Sequence, residues 1–297
     1  MEGEPALTLP LRTMTVRKGK HSQLKALLDE AYDRHAHPGF IDADPIHIPK
    51  RFADRADAEV IGFLTATIAW GQRKTIIANA NKLVALFDER PHQFVMHASE
   101  SEIDTVERFV HRTFNGTDLR HFIFALRHLY TTYGGLEDAF LPEQPRALRR
   151  EPRANAAQLE ASGSWLAASA IPLFKQRFFE IDHPARTRKH VADPAKGSNA
   201  KRINMFLRWM VRPDDRGVDL GLWERITPAG LMVPLDVHTG RVARELGLLT
   251  RAQDDWKAVE ELTAALRQFD PLDPVKYDIA LFGIGVGEAA SRKSASG

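Results

Sequence analysis

The chain has 297 residues, of which 43% are hydrophobic and 27% charged, a composition within the range of soluble globular proteins. It contains no cysteine, which excludes disulfides, thiolate metal sites, iron–sulfur clusters and cysteine nucleophiles. The formal net charge of +2 is only mildly basic, so any attraction to nucleic acid has to come from local clusters of cations.

Apolar residues recur every three or four positions along most of the chain, and this spacing predicts an all-α protein. Clear stripes of this kind lie within residues 76–87, 119–130 and 256–266. No apolar run has the length of a membrane span, and the first residues lack the pattern of a secretory signal. We therefore expect a cytoplasmic protein that does not associate with a membrane.

Three segments differ in composition from the helical parts. Residues 141–163 are rich in Pro, Ala, Arg and Glu and poor in large apolar side chains, which predicts a mobile insertion. Residues 1–15 and 288–297 are predicted to be a loose N-terminus and a loose tail.

A turn followed by a helix is predicted from Asp193 onward, where the chain reads DPAKGSNAKRINMFLRWMVR. The apolar residues of this helix form one stripe, namely Ile203, Phe206, Leu207 and Met210. Lys201, Asn204 and Arg208 project from the opposite side. Lys201 thus lies in the first turn of the helix, just after a turn that contains glycine. A solvated lysine on a polar helix face is the simpler interpretation.

A second helix start is predicted at PLDVHTGRVARELGLL, which begins at Pro234. Asp236 is well placed to cap this helix, because its carboxylate can accept backbone N–H groups of the first turn. A capping aspartate is common and needs no catalytic explanation by itself.

Together the two segments resemble the helix-hairpin-helix DNA glycosylase superfamily (HhH-GPD) of endonuclease III and 8-oxoguanine glycosylase. Gly197 matches the first hairpin glycine, Asn199 stands where the second would be, and Lys201 matches the hairpin lysine. Residues 235–238, Leu-Asp-Val-His, match the aspartate segment. Asn visits the left-handed backbone region more readily than other non-glycine residues, so the hairpin could still close.

Further similarity lies outside the two segments. Residues 63–67 and the helix from Gln72 are similar to the helix pair at the cleft of these glycosylases, and residues 277–283 resemble their C-terminal helix. The resemblance covers residues 55–285. Over its full length the chain is also similar to an uncharacterised bacterial family known as a domain of unknown function.

The resemblance implies a bilobed helical glycosylase-like fold with a helix-hairpin-helix motif. Residues 16–60 and 250–287 would form one helical lobe from both ends of the chain. Residues 61–249 would form a helical-bundle lobe that carries the hairpin and the insertion 141–163.

The resemblance also implies a DNA base-excision glycosylase, with or without abasic-site (AP) lyase activity, that removes a damaged base such as an oxidised purine. Lys201 and Asp236 would be the catalytic pair. Breaking an N-glycosidic bond develops positive charge on the sugar, which an ionised carboxylate stabilises, while a neutral lysine can attack C1′. We expect a nucleoid-associated monomer that acts on double-stranded DNA containing a damaged base, with no cofactor and no metal.

The predicted DNA-binding residues flank the two motifs. They are Lys196, Gly197, Ser198, Asn199, Arg202, His238, Arg241, Gln72, Arg73 and Lys74. Arg186, Arg188 and Lys189 are further candidates for a basic rim, and Trp70 is a candidate for packing beside an extruded base. Each of these residues is also explained as an ordinary surface or core residue.

Two other functions remain open. One is a catalytically inactive DNA-binding module with the glycosylase fold, which is favoured if Lys201 and Asp236 lie far apart, since 35 positions separate them in sequence (236 − 201). The other is a helical protein that interacts with RNA or with another protein, which is favoured if the surface around Gly197 is not basic.

Overall fold

The computed structural model describes residues 20–42, 44–142 and 166–294, with side chains described as far as residue 287. Within these ranges the elements of regular secondary structure are helices, apart from one small two-stranded ribbon, and loops connect them. This confirms the predicted all-α class. The predicted loose segment 1–15 lies outside the described residues. So does the predicted insertion 141–163, apart from residues 141 and 142.

The secondary structure consists of α-helices, short 3-10 helices and one antiparallel ribbon. The α-helices are α1 Lys20–His35, α2 Arg55–Thr67, α3 Arg73–Leu86, α4 Pro91–His97, α5 Glu100–Asp104, α6 Gly116–Tyr133, α7 Leu136–Phe140, α8 Ala167–Phe178, α9 Lys201–Val211, α10 Val237–Glu245, α11 Trp256–Arg267 and α12 Lys276–Ser294. The ribbon pairs β1 Val110–His111 with β2 Phe114–Asn115. The 3-10 helices are Pro38–Phe40, Pro45–His47, Pro49–Arg51, Thr105–Arg108, Ala185–His190, Pro194–Lys196 and Pro228–Gly230.

Helix α2 lies at the centre of the core, because ten consecutive residues from 58 to 67 are buried. The Phe63 ring packs against four other aromatic rings at centroid distances of 5.4 to 5.8 Å, namely Phe122, Phe174, Phe178 and Phe206. α9 approaches α2 closely at Gly62, where an added Cβ would lie 2.8 Å from Met210 Cε. Glycine thus permits the close contact of α9, the helix that carries Lys201, with the core.

The first and last described helices pack against each other, and α10 also packs on α12. α12 therefore packs against both α1 and α10, the helix that follows Asp236. The division into lobes 16–60 plus 250–287 and 61–249 stays a prediction. α12 continues to Ser294, so its backbone is helical within the segment 288–297 that was predicted to be a loose tail.

The predicted helix-hairpin-helix motif is only partly present. No α-helix precedes the hairpin in the described residues 179–200, which instead contain the 3-10 helices Ala185–His190 and Pro194–Lys196. This stretch contains Pro184 and Pro194, and proline interrupts α-helical hydrogen bonding. The helix-hairpin-helix motif is therefore not confirmed, whereas Lys201 lies in the first turn of the following helix, α9, as predicted.

Candidate functional site

Two residues in the left-handed conformation close the turn before α9. One is the predicted hairpin glycine, and the other lies one residue after the predicted position. Gly197 has φ of 81° and Ala200 has φ of 48°, so both occupy the left-handed region. Asn199, which was expected to adopt this conformation, uses its side chain instead. Its Oδ1 accepts from the Lys201 backbone N–H at 3.2 Å, and its Nδ2 donates to the Leu235 carbonyl at 3.3 Å. Asn199 thereby joins the start of α9 to the residue before Asp236.

The chain between α9 and Asp236 turns back and runs beside the C-terminal part of α9. The backbone N–H of Leu220 donates to the Trp209 carbonyl at 2.8 Å, and that of Trp223 donates to the Met210 carbonyl at 2.9 Å. Further along, the Val233 N–H donates to Thr263 Oγ1 at 3.1 Å. These hydrogen bonds fix the returning chain, so the two residues meet in space despite the long interval between them in sequence.

Asp236 and Lys201 form an ion pair at the start of their two helices. Asp236 caps α10 as predicted, because its Oδ1 accepts from the Thr239 backbone N–H at 2.8 Å. Its Oδ2 lies 3.5 Å from Lys201 Nζ. The Lys201 side chain is 35% exposed and that of Asp236 is 16% exposed, so solvent and small molecules can reach both.

The pair lies in the wall of a cavity of about 870 Å³. Seven of the predicted site residues line this cavity: Arg73, Ser198, Asn199, Lys201, Arg202, Asp236 and His238. Lys189 and Trp70, the additional candidates, line it as well. Of the described residues that were predicted to bind DNA, Gln72, Lys74, Lys196, Gly197 and Arg241 lie outside the cavity wall.

Arg202 is one of the predicted DNA-binding residues, and its guanidinium is largely buried. It donates to the Thr67 carbonyl and lies 4.4 Å from the centroid of the Trp70 ring. Burial lowers the pKa of the Arg202 guanidinium to about 10, so the group remains charged at neutral pH. The His190 ring also stacks on Trp70, with centroids 6.1 Å apart. Trp70 is thus packed between protein groups on the cavity wall.

The face of α9 opposite its apolar stripe carries the three polar residues predicted there, but another part of the protein covers two of them. Asn204 is fully buried and Arg208 is 9% exposed. Arg208 pairs with Asp219 at 3.2 Å and with Asp278 at 2.5 Å. Burial opposes the charge of Arg208, but the two carboxylates nevertheless raise the pKa of its guanidinium.

Asp278 of α12 is a site residue that the sequence analysis missed. It lines the cavity, and burial together with the nearby charge of Asp236 raises its pKa to about 6, although Arg208 opposes the shift. The sequence did offer a sign of this residue, since Asp278 stands among the mostly apolar residues 275–282. A carboxylate buried by such neighbours requires charged or hydrogen-bonding partners. Phe40 and Phe282 also line the cavity and were not predicted.

Three of the predicted cations, Arg241, Arg186 and Arg188, have partners outside the cavity wall. Arg241 pairs with Glu245 at 2.9 Å, and Arg186 lies 3.3 Å from Asp118 and donates to the Thr113 carbonyl. Arg188 contacts His183 at 3.0 Å. Arg73 lies over the Phe282 ring, with its Cζ 5.7 Å from the centroid, and so bridges α3 and α12 at the cavity.

Comparison with protein families matches residues 44–287 to a family of proteins of unknown function, DUF2400. The chain belongs to this family. No family model of the helix-hairpin-helix glycosylases matches, so the assignment to that superfamily was wrong. The absence of an α-helix in the described residues 179–200, before the hairpin, agrees with this correction. No curated protein and no solved structure matches the chain.

No described helix combines the length and the apolar character that crossing a membrane requires.

Proposed function

We propose that the protein removes damaged bases from double-stranded DNA and that Lys201 and Asp236 carry the reaction. One observation carries this proposal: the Lys201 amine lies 3.5 Å from the Asp236 carboxylate in the wall of a cavity of about 870 Å³. Pockets for organic ligands typically have volumes of about 300–1,000 Å³, so this cavity has room for one extruded nucleotide.

The reaction uses both members of the pair. The neutral Lys201 amine attacks C1′ of the extruded nucleotide, and the base departs with the electron pair of the C1′–N bond and takes up a proton. The ionised Asp236 stabilises the positive charge that develops on the sugar. The resulting aminal loses a proton and opens to an imine, from which β-elimination expels the 3′ phosphate and cleaves the strand.

The cations of the cavity wall support a nucleic-acid substrate. Lys189, Arg202 and Arg73 lie around the ion pair, together with His238. Arg202 pairs with no carboxylate in the described part of the chain, and it lines the same cavity as the ion pair. We propose that DNA lies across the cleft between the two predicted lobes, since residues from both line the cavity. Such binding would accompany a nucleoid location.

The salt dependence of DNA binding tests the role of these cations. Each Lys or Arg that contacts a phosphate releases condensed counterions, so affinity should fall steeply with salt. Lys189→Gln should reduce the slope of log K against log salt by about one, the value for a single cation that neutralises one phosphate. Lys82→Gln is the matched control, because Lys82 is exposed like Lys189 but lies outside the cavity wall and was not predicted to contact DNA. Binding that does not respond to salt would contradict a DNA substrate.

The chemical step is tested on a duplex with a single abasic site, which does not require the damaged base to be known. Borohydride reduces an imine to a stable amine, so the wild type should form a covalent protein–DNA adduct. Lys201→Gln should form none, whereas Lys82→Gln should form as much as the wild type. A panel of duplexes with oxidised or alkylated bases then identifies the base released. Absence of any adduct and of any base release would refute the proposal.

A second function is compatible with the same ion pair. A salt bridge that only joined the start of α9 to the cap of α10 would have this geometry, and the protein would then be a DNA-binding module without catalysis. In that case Lys201→Gln would change stability and DNA affinity, but wild type and variant would be equally inactive. Failure to bind DNA at all would favour a partner of another class, such as RNA or a protein.

A further inference from the structure

A second carboxylate, Asp278, lines the cavity beside the proposed catalytic pair. It comes from α12 and is 6% exposed. Its Oδ2 accepts from Arg208 Nη1 at 2.5 Å, and its Oδ1 accepts from Thr239 Oγ1 at 3.2 Å. Both oxygens are therefore occupied by groups from other helices, so Asp278 joins α9, α10 and α12.

Thr239 connects this carboxylate to Asp236. Its hydroxyl donates to Asp278, and its backbone N–H donates to the Asp236 carboxylate at 2.8 Å. Thr239 is fully buried, so neither hydrogen bond competes with bulk water. The first turn of α10 is thus held from both sides, and its orientation sets the direction of the Asp236 carboxylate toward Lys201.

The charges around Asp278 make this arrangement depend on its protonation. Arg208 faces it from α9 and Asp236 faces it from the cap of α10, while Asp219 shares Arg208 and Asp44 lines the same cavity. On α1, which packs along α12, His35 lies against Gly283. Burial and the charge of Asp236 raise the pKa of Asp278 to about 6, and its charged form is the better acceptor for Thr239.

We infer that Asp278 is a positioning residue of the proposed reaction, which acts through Thr239 to hold Asp236 against Lys201. The inference rests on the proposed base-excision function. Asp278 exchanges no proton with the substrate in this account. Its ionised form fixes the first turn of α10, and loss of its charge loosens that turn.

The test is the single-turnover rate of base release from the damaged duplex that the panel identifies, measured between about pH 5 and pH 8. The wild-type rate should fall below pH 6, where Asp278 takes up a proton. Asp278→Asn should lower the rate at pH 7.5 by about tenfold to a hundredfold and abolish the change near pH 6. The affinity for the duplex should stay within about twofold, because Asp278 acts on Asp236 rather than on the DNA.

Thr239 variants separate positioning from folding. Thr239→Val removes the hydroxyl and should reproduce the slow, flat profile of Asp278→Asn, whereas Thr239→Ser should restore the fall below pH 6. Asp219→Asn is the matched control, since Asp219 is also a buried carboxylate bound to Arg208 but does not contact Thr239. It should retain the wild-type pH profile even where it lowers the melting temperature.

Two failures are distinguishable. If the wild type forms an adduct and Asp278→Asn or Thr239→Val keeps the wild-type pH profile, the positioning role is wrong and the proposed function stands. If the wild type forms no adduct and releases no base, the proposed function is wrong, and the role of Asp278 fails with it.

Discussion

The two ends of α9 carry ion pairs of opposite character. At its start, the side chains of Lys201 and Asp236 are 35% and 16% exposed and line the cavity. At its end, Arg212 and Asp219 are 2% and 0% exposed, and Arg212 also binds Asp273 and the Tyr32 hydroxyl at 2.9 Å. The same helix thus has one pair in the wall of the cavity and the other inside the protein.

The difference in burial predicts that the pair at the end of α9 matters for stability and the pair at its start for the proposed reaction. A buried ion pair requires both partners, because a charge left alone in the interior has no water to solvate it. A pair at a cavity is partly solvated, so removing one partner should cost little stability, whereas it should abolish the proposed reaction. The comparison predicts opposite responses to substitution at the two ends.

The largest expected effect is on stability at the sealed end. Arg212→Met should lower the free energy of unfolding by about 3–5 kcal/mol, because it leaves Asp219 with Arg208 as its remaining partner. Urea unfolding followed by circular dichroism measures this loss. The double variant Arg212→Met with Asp219→Leu should recover part of it, since it also removes the fully buried Asp219 carboxylate. A loss below about 1 kcal/mol for the single variant would break the comparison.

The next effect is on activity at the cavity end. Asp236→Asn should slow base release by about 10²–10³-fold, which corresponds to about 2.7–4 kcal/mol of transition-state stabilisation. Lys201→Gln should change the free energy of unfolding by about 1 kcal/mol or less, because the lysine is partly solvated. Single-turnover kinetics and urea unfolding of the same preparations measure the two quantities. Destabilisation as large as that of Arg212→Met would indicate a structural pair.

A smaller effect concerns pH and Asp278. Its pKa is raised from the ordinary value of 3.8 to about 6, so between these values the folded protein holds a proton that the unfolded chain has released. The stability from this group is therefore lost as the pH rises from about 4 to about 6, by roughly 2 kcal/mol. Asp278→Asn should lack this decline, as pH-dependent urea unfolding would reveal. Identical slopes for wild type and variant would contradict the assignment.

The smallest effect is expected for Arg241, a predicted DNA-binding residue whose guanidinium pairs with Glu245 outside the cavity wall. Arg241→Gln should lower stability by about 0.2–1 kcal/mol, as for a partly exposed pair. The salt slope of DNA binding should stay unchanged. A reduced slope in fluorescence-anisotropy titrations would return Arg241 to the DNA-binding surface.

The parts of the site that follow local rules could be predicted from the sequence. The cap at Asp236 and the helix start at Lys201 depend on residues within one turn of the chain, where side-chain and backbone groups meet by geometry alone. The all-α class follows in the same way from periodic spacing.

The rest of the site depends on interactions between distant segments. The burial of Arg208 is set by Asp219 and Asp278, which lie 11 and 70 positions away. The Asn199 side chain bonds to a carbonyl 36 positions away. Helical spacing shows that one face of a helix is polar, but it does not show whether another element covers that face. Lys201 and Arg208 lie on the same polar face of α9, yet Lys201 is accessible and Arg208 is buried.

The identity of the trapped residue tests the central claim most directly. Wild-type protein reduced by borohydride on the abasic duplex can be digested with a nuclease and a protease, and the site of the remaining sugar mass located by tandem mass spectrometry. The account predicts the modification on Nζ of Lys201, with loss of tryptic cleavage after that residue. A modification on another amine, or no modified peptide from a protein that releases a base from a damaged duplex, would contradict it.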